Sequence, residues 1–284
     1  MNLRALAAFA AVTLCASASG AEATTYKFAV LGDMGNTVNA TAVAKLVATN
    51  LGPSDIVMLV GDDCYNSAPS FATQVGSRYG VFRQSGRLYS ALGNHEVSDA
   101  CGGGSYAKNY FSYFARPGNG RYYTFRDGPV QFFVANSEEV TDGNGKTSKQ
   151  AAWMRAQIAA STAPWKICVF HRSAYSSGSE HGSTTYMQWG WENWGIDGCF
   201  AGHDHDYERV VVNPAAKGGQ GVSFWTCGLG GDDYRPFRST PVAGSRARYT
   251  GGYGACFVTA DAKTLKVEFK TTAGKIMDTM ILTK

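Results

Sequence analysis

The feature that most restricts the fold of this chain is a recurring pattern in which an apolar run ends directly at polar residues. The clearest example is residues 56–65, where Ile-Val-Met-Leu-Val is followed by Gly-Asp-Asp-Cys-Tyr. Five apolar residues in a row are typical of a strand that is buried on both faces. Open α/β sheets keep their ligand sites at the carboxyl ends of such strands. By itself this segment is equally compatible with a solvated turn, so the inference depends on whether the pattern recurs.

The pattern does recur, at intervals that match the length of one strand-helix-strand unit. Polar residues follow predicted strands at Asp33, Asp62, Asn94, His171 and His203. The steps from 33 to 62, from 62 to 94 and from 171 to 203 are 29, 32 and 32 residues. Right-handed crossovers place the carboxyl ends of parallel strands on the same side of a sheet. We therefore expect these side chains to lie side by side along one sheet edge, joined by Tyr65 and His205 from the same loops.

The elements predicted along the chain alternate at first and then become strands only. Before residue 207 we predict strands at 26–31, 56–60, 88–92, 122–125, 130–135, 165–170 and 198–201, and helices at 37–49, 69–83, 149–160 and 184–194. After it we predict a meander of strands at 207–212, 222–227, 255–260, 265–271 and 275–282, without helices. Parallel units joined to antiparallel strands without a linker indicate one mixed α/β domain, with two packed sheets flanked by helices.

The N-terminal segment has the composition of a secretory signal peptide. Arg4 precedes an apolar run, residues 5–16, which is too short to span a bilayer, and A-x-A patterns follow at 16–18 and 21–23. We predict that residues 1–21 are the signal peptide and that 22–284 form the folded domain. A buried N-terminal helix is the alternative, but the segment is not amphipathic. The protein is therefore expected to be secreted, to the exterior, lysosome, vacuole or periplasm according to its source.

Six of the seven cysteines lie outside this segment, and an even number in an exported chain indicates disulfides. They are Cys64, Cys101, Cys168, Cys199, Cys227 and Cys256. Their positions suggest the pairs Cys64–Cys101, in site loops, and Cys227–Cys256, in late strands, although the sequence leaves other pairings open. The sequon at Asn39-Ala40-Thr41 is a predicted N-glycosylation acceptor.

The overall charge gives no reason to expect a nucleic acid or a membrane surface as a partner. The formal net charge is +4, charged residues make up 17% of the chain, and no basic block is present. We expect a globular monomer that acts on small or protein-borne substrates.

The recurring polar residues form a donor set that is too large for one metal ion. Carboxylates, an amide oxygen, imidazoles and a phenol would all be used if two ions shared Asp62 as a bridge. Two-metal sites suit in-line displacement at phosphorus, because they generate the nucleophile and neutralise the phosphoryl charge. Tyr65 would bind as phenolate, and because a free phenol has a pKa of about 10, this favours a trivalent ion.

All five histidines lie at strand ends or in the loops between these motifs. They are His95, His171, His181, His203 and His205. Each one alone is more often a structural residue than a functional one. Because all five share this placement, coincidence is a poor explanation for it, and a common functional site is favoured.

The motifs Gly-Asp-x-Gly, Gly-Asp-x-x-Tyr, Gly-Asn-His-Glu, Val-x-His and Gly-His-x-His, in this order over residues 26–206, resemble those of the purple acid phosphatases. These enzymes are the binuclear members of the calcineurin-like metallophosphoesterases, whose fold is a four-layer sandwich. The resemblance implies Fe(III) held by Asp33, Tyr65 and His205. It implies a divalent iron, zinc or manganese ion held by Asn94, His171 and His203, with Asp62 bridging. Gly35 stands where most metallophosphoesterases have a histidine, and Tyr65 looks like the replacement for that histidine. We expect the short, tartrate-resistant type, because no extra N-terminal β-domain of the long members is predicted.

The resemblance also implies roles for residues on the substrate side. His95 and His181 would be catalytic, and Asn94, His95, His181 and Glu180 would contact the substrate phosphate. The expected activity is hydrolysis of phosphate monoesters at acidic to neutral pH. A phosphodiesterase of the same superfamily is one alternative. A secreted metal- or phosphate-binding protein with a silent site is another.

Overall fold

Two β-sheets and their flanking helices make up the part of the chain described by the computed structural model, residues 25–65, 70–98, 107–114 and 116–284. The strands are β1 (Tyr26–Leu31), β2 (Ile56–Leu59), β3 (Leu88–Ser90), β4 (Tyr123–Asp127), β5 (Val130–Val134), β6 (Trp165–Arg172), β7 (Gly198–Gly202), β8 (Tyr207–Val212), β9 (Val222–Cys227), β10 (Ser245–Tyr249), β11 (Gly254–Ala260), β12 (Thr264–Thr271) and β13 (Ile276–Thr283). The helices are α1 (Val38–Asn50), α2 (Ser77–Gln84), α3 (Asn94–Ser98), α4 (Lys108–Tyr113), α5 (Lys149–Ala160) and α6 (Trp191–Trp194). A π-helical turn, Ala72–Gly76, leads into α2.

Both sheets are mixed, and each contains a block of neighbouring parallel strands. The six-stranded sheet has the order β13-β12-β11-β1-β2-β3, in which β1, β2 and β3 are parallel. The seven-stranded sheet has the order β10-β8-β9-β7-β6-β5-β4, in which β5, β6, β7 and β9 are parallel. The predicted fold class, two mixed sheets with helices in one domain, is confirmed.

The alternation of side chains along the strands builds three apolar layers. In β1, Phe28 and Val30 belong to the core between the two sheets, while Ala29 and Leu31 pack on the outer side against α1. All four residues of β2 are buried, as expected for a strand covered on both faces. A third cluster fills the space between the seven-stranded sheet and α5 with α6. These layers hold the carboxyl ends of the parallel strands rigidly.

The predicted helix at 184–194 is wrong. The structure has only a 3-10 turn, Thr185–Met187, and the single turn α6. Gly190 and Gly195 adopt φ values of 82° and 93°, so the helix is interrupted at one end of α6 and stopped at the other.

The C-terminal strands do not form one meander. Strands β8 and β9 complete the seven-stranded sheet, whereas β11, β12 and β13 form an antiparallel meander in the other sheet. Strand β10 and a 3-10 turn, Lys217–Gly219, were not predicted. Alternating polarity identifies a half-buried strand, but it does not say which sheet the strand joins.

Two sequence-based predictions about export fall partly or wholly outside the described residues. The segment 1–21 and Cys101 are outside them, so the signal peptide and the pair Cys64–Cys101 stay predictions. Cys227 and Cys256 are buried free thiols whose Sγ atoms lie 3.0 Å apart. Across the described ranges, no helix combines the length and apolar character needed to cross a membrane.

Candidate metal centre

The predicted site residues meet between the carboxyl ends of the two sheets. Asp33 follows β1, Asp62 follows β2 and Asn94 begins α3 just after β3, all from the six-stranded sheet. His171 lies near the end of β6 and His203 follows β7, both from the seven-stranded sheet. The predicted convergence is therefore observed, but the residues come from the facing ends of two sheets and not from one sheet edge.

Three of these residues have a left-handed backbone, which is uncommon for any residue except glycine. The φ angles are 57° at Asp33, 51° at Asp62 and 73° at His203. Such a conformation costs on the order of 1–3 kcal/mol per residue, and it persists only where the surroundings enforce it. At the neighbouring Gly93, a Cβ atom would lie 2.2 Å from Asp62 Oδ1, so this close approach requires glycine.

One group of donor atoms surrounds the ring of His171. Its Nδ1 donates to the carbonyl oxygen of Val60 at 3.0 Å, which turns Nε2 towards the other side chains of the group. This Nε2 faces Asn94 Oδ1 at 3.1 Å and Asp62 Oδ2 at 3.2 Å. Asp62, His171 and His203 each offer a ligand atom within 4.8 Å of the others. Burial lowers the pKa of His171, but Asp62 outweighs this effect and raises that pKa to about 10. A metal ion at Nε2 would therefore take the place of a proton that these oxygens otherwise hold.

A second group surrounds the ring of His205 in the same way. Its Nδ1 faces two oxygens of Asp233, the carbonyl at 3.1 Å and a carboxylate oxygen in a shorter contact. Nε2 points away from Asp233, and it lies 3.4 Å from the Tyr65 hydroxyl and 3.6 Å from Asp33 Oδ1. A phenol, an imidazole and a carboxylate form the kind of donor set that holds a hard, highly charged cation.

The electrostatics of the site also suit cations. Burial raises the pKa of Asp33 to about 7, although His171 and His205 partly offset this. Burial would likewise raise the pKa of Asp62, but His171 lowers it below its usual range. Burial and the nearby Asp33 and Asp62 raise the pKa of the Tyr65 phenol well above its ordinary value. A phenolate here needs a strong positive charge beside it, so the residues fit a metal pair.

The predicted substrate-side histidines lie at the open rim of the two groups. His95 stacks on Tyr65 with ring centroids 4.3 Å apart, and its Nε2 is 3.9 Å from Asp62 Oδ2. His181 stacks on His203 at 4.0 Å. Their side chains are 33% and 32% exposed, so both rings can reach a bound molecule.

Comparison with known proteins identifies the family. Residues 26–207, well over half of the chain, match the calcineurin-like phosphoesterases. The chain belongs to this family. The matched segment begins with β1 and ends just after His205, so it contains every predicted metal ligand.

Similar proteins include named purple acid phosphatases. Purple acid phosphatase 15 of Arabidopsis thaliana is 28% identical over 223 residues, which are 64% of this chain and 40% of that protein. Acid phosphatase type 7 of Mus musculus is 27% identical over 216 residues, 65% of this chain and 47% of that protein. The phosphoesterase chain spans less than half the length of these curated relatives.

Among solved structures, the purple acid phosphatase PPD1 from yellow lupin seeds matches 92% of this chain and 54% of its own, with a TM-score of 0.78 and 20% identity. GAP50 of Plasmodium matches 91% of this chain and 89% of its own, with a TM-score of 0.63 and 18% identity. Both similarities establish the phosphoesterase fold.

The sequence analysis missed a buried carboxylate that ties two site loops together. Glu96 accepts hydrogen bonds from the backbone N–H groups of Asp62, Asp63, Cys64 and Gly93, at 2.7 to 3.1 Å. It therefore holds the loop after β2 against the loop after β3. The acidic residue that ends Gly-Asn-His-Glu was the available signal, because an acid three residues after a glycine turn can reach back to free N–H groups.

A second missed residue is Asp233, which fixes the orientation of the His205 ring through Nδ1. Carboxylates that orient a metal-ligating histidine in this way are common in metalloproteins. Asp233 follows no strand motif, and it reaches the site only because the Gly228–Gly231 segment crosses over Gly32. No local sequence signal could have identified it.

Proposed function

We propose that this phosphoesterase is an acid phosphatase that hydrolyses phosphate monoesters at a pair of metal ions, Fe(III) and a divalent iron, zinc or manganese ion. The observation that carries the proposal is that His171 and His205 each anchor Nδ1 on a protein oxygen and turn Nε2 towards further oxygen atoms of the predicted ligands. Two such groups support a binuclear site, in which Asp62 of the first group would bridge to the second ion.

The proposed roles of the residues follow from their positions. When bound, the metal ions would supply a nucleophile derived from water and neutralise charge on the phosphoryl group. Asn94 and the exposed rings of His95 and His181 would position the phosphate of the substrate. His95, with His181, would deliver the proton that the departing alkoxide needs. We propose small phosphate monoesters and phosphorylated proteins as the substrates.

The cellular setting is part of the same proposal. We propose a secreted monomer, on the basis of the predicted signal segment and of a net charge that favours neither nucleic acid nor membrane surfaces.

The proposal is tested with a phosphate monoester and a phosphate diester as parallel substrates. The wild type should hydrolyse the monoester in preference, and Asp62→Asn should lose both turnover and metal while keeping the thermal unfolding midpoint of the metal-free wild type. Glu268→Gln, on the surface of β12, removes an acid far from the site and serves as the matched control. Preference for the diester would support the phosphodiesterase alternative. A wild type that holds two metal ions and hydrolyses neither ester would be a silent binding protein.

A further inference from the structure

Two arginines outside the predicted ligand set bring their guanidinium groups to the rim of the site. Arg172 donates from Nη1 to Nε2 of His203 at 2.8 Å. Arg235 donates from Nη1 to Nε2 of His181 at 3.0 Å. Since His203 and His181 are stacked at 4.0 Å, each ring of the stack has a guanidinium at its Nε2.

Carboxylates hold both arginines in place without covering them. Arg172 donates two hydrogen bonds to Glu138, from Nε to Oε1 at 2.6 Å and from Nη2 to Oε2 at 3.3 Å. Arg235 pairs through Nε with Asp233 at 3.3 Å and through Nη1 with Glu180 at 2.9 Å. The two arginine side chains remain 26% and 23% exposed. Both are therefore positioned cations at the mouth of the site.

The contact between Arg172 and His203 cannot persist once His203 binds a cation. Neutral imidazole has one lone pair for a donor or a metal. If the ion takes Nε2, that lone pair is used, and if the ion takes Nδ1, the proton moves to Nε2. In either case the Nη1 donor of Arg172 loses its acceptor and needs another. An anionic group of a substrate bound at the open rim could accept the hydrogen bond from Nη1 of Arg172.

Arg235 has an exchangeable partner as well. Glu180 is 52% exposed, so its contact with Arg235 is weak and screened by solvent. Asp233 is 60% exposed, but it is also bonded to the buried ring of His205, so it keeps a buried partner if its contact with Arg235 is lost. A phosphoryl group can displace Glu180 and form paired hydrogen bonds with the guanidinium of Arg235. The planar guanidinium suits paired bonds to phosphoryl oxygens better than the ammonium of a lysine does. In this arrangement Glu180 is the resting counter-ion of Arg235.

We infer that Arg172 and Arg235 bind a second phosphoryl group of the substrate, beyond the one that is cleaved, so that the favoured substrates carry two phosphoryl groups. The inference rests on the proposed phosphatase activity. The cleaved group belongs over the ligand groups of His171 and His205, whereas the two guanidinium groups lie outward of them, beside the histidine stack.

The test compares kcat/KM for a nucleoside 5′-diphosphate with that for the matching 5′-monophosphate. Arg172→Gln and Arg235→Gln should each lower the diphosphate value about 10-fold, because a hydrogen bond between charged groups is lost, and lower the monophosphate value by less. Arg235→Lys should recover part of the loss. Arg155→Gln, on the exposed face of α5, should leave the ratio of the two values unchanged.

A readout independent of turnover is calorimetric binding of imidodiphosphate, a diphosphate that resists hydrolysis, measured against inorganic phosphate, with metal content determined afterwards. Both glutamine variants should lose affinity for imidodiphosphate selectively while retaining metal. Equal losses for both substrates and both anions, or no loss for either, would overturn the inference and leave the phosphatase proposal standing. A wild type that hydrolyses neither nucleotide would overturn both.

Discussion

At the scale of single residues, the site depends on conformations that the chain would not adopt by itself. Asp33, Asp62 and His203 all have a positive φ, and each needs surrounding hydrogen bonds to hold it. The N–H of His203 is held by both carboxylate oxygens of Asp33, at 3.1 and 3.0 Å. Glu96 does the same for the loop that carries Asp62. The strained backbone conformations and the hydrogen bonds that hold them thus occur together, at the candidate ligand residues.

Glu96→Gln should weaken metal retention although Glu96 is not itself in the donor groups. The amide would replace one accepting oxygen by a donor that faces backbone N–H groups, and the two loops would separate. Residues that support metal ligands typically contribute about 10- to 100-fold in affinity. Dialysis against a graded series of chelator concentrations, followed by metal analysis, measures the effect. Retention equal to that of the wild type would show that the loops are held by other contacts.

Tyr65→Phe should abolish visible absorption in the metal-loaded protein, because only a phenolate bound to Fe(III) gives charge-transfer colour. Tyr79→Phe is the matched control, since Tyr79 is buried, belongs to neither donor group, and has a hydroxyl without a hydrogen-bond partner among the residues that the structure describes. A visible spectrum of each variant decides the point. A coloured Tyr65→Phe protein would contradict phenolate ligation.

At the scale of elements, the sandwich is joined across its sheets by polar as well as apolar contacts. Asp278 on β13 accepts from Arg209 on β8 at 2.7 and 3.0 Å, and from the Tyr207 hydroxyl at 2.6 Å. These strands belong to different sheets. The contact therefore fixes the sheets relative to each other in a way that apolar packing alone does not.

Asp278→Asn should destabilise the protein by about 2 kcal/mol at neutral pH, since hydrogen bonds between charged groups are lost. Burial raises the pKa of Asp278, but the bonds from Arg209 and Tyr207 outweigh it and lower the pKa below its ordinary 3.8. The contribution is thus present above the ordinary pKa and is lost as pH falls through the lowered one.

Urea unfolding of wild type and variant as a function of pH measures this difference. The difference in free energy of unfolding between the two proteins should disappear in acid. Glu268→Gln, which breaks the more exposed pair with Lys266, should change stability by well under 1 kcal/mol. A loss of unfolding free energy in Asp278→Asn that does not depend on pH would contradict the ion-pair explanation.

The second cross-sheet contact is the thiol pair of Cys227 on β9 and Cys256 on β11. If the protein is exported, as its first 21 residues predict, these neighbouring thiols should be oxidised to a disulfide during secretion. Denaturing alkylation without reductant, followed by peptide mass analysis, should leave both unmodified in secreted material. Alkylation of both residues would refute this pairing. Cys227→Ser should then expose Cys256 to the reagent.

At the scale of the whole molecule, the strand-end pattern predicted most of the fold and the convergence of the candidate ligand residues. Apolar runs that end in Gly-Asp or Gly-His are local signals, and the parallel strands bring their ends together whatever the intervening loops are. The family resemblance and the two mixed sheets, both predicted from this pattern, are confirmed.

The errors have a common physical cause, which is information that local sequence does not contain. The helix predicted at 184–194 fits the composition, but Gly190 and Gly195 take left-handed conformations that tertiary packing selects. The assignment of β8 and β9 to one sheet and β11 to the other is set by pairing partners far away in the chain. Asp233, Arg172 and Arg235 likewise act through neighbours that are distant in sequence.

The central claim is that two cations lie between the sheets, with Asp62 between them. Anomalous diffraction from crystals of the metal-loaded protein, recorded at the absorption edges of iron and of the divalent ion, tests it directly. The claim predicts two peaks about 3.5 Å apart. One should be bounded by His171, His203 and Asn94, and the other by His205, Tyr65 and Asp33. A single peak, or peaks that Asp62 does not contact, would contradict the account.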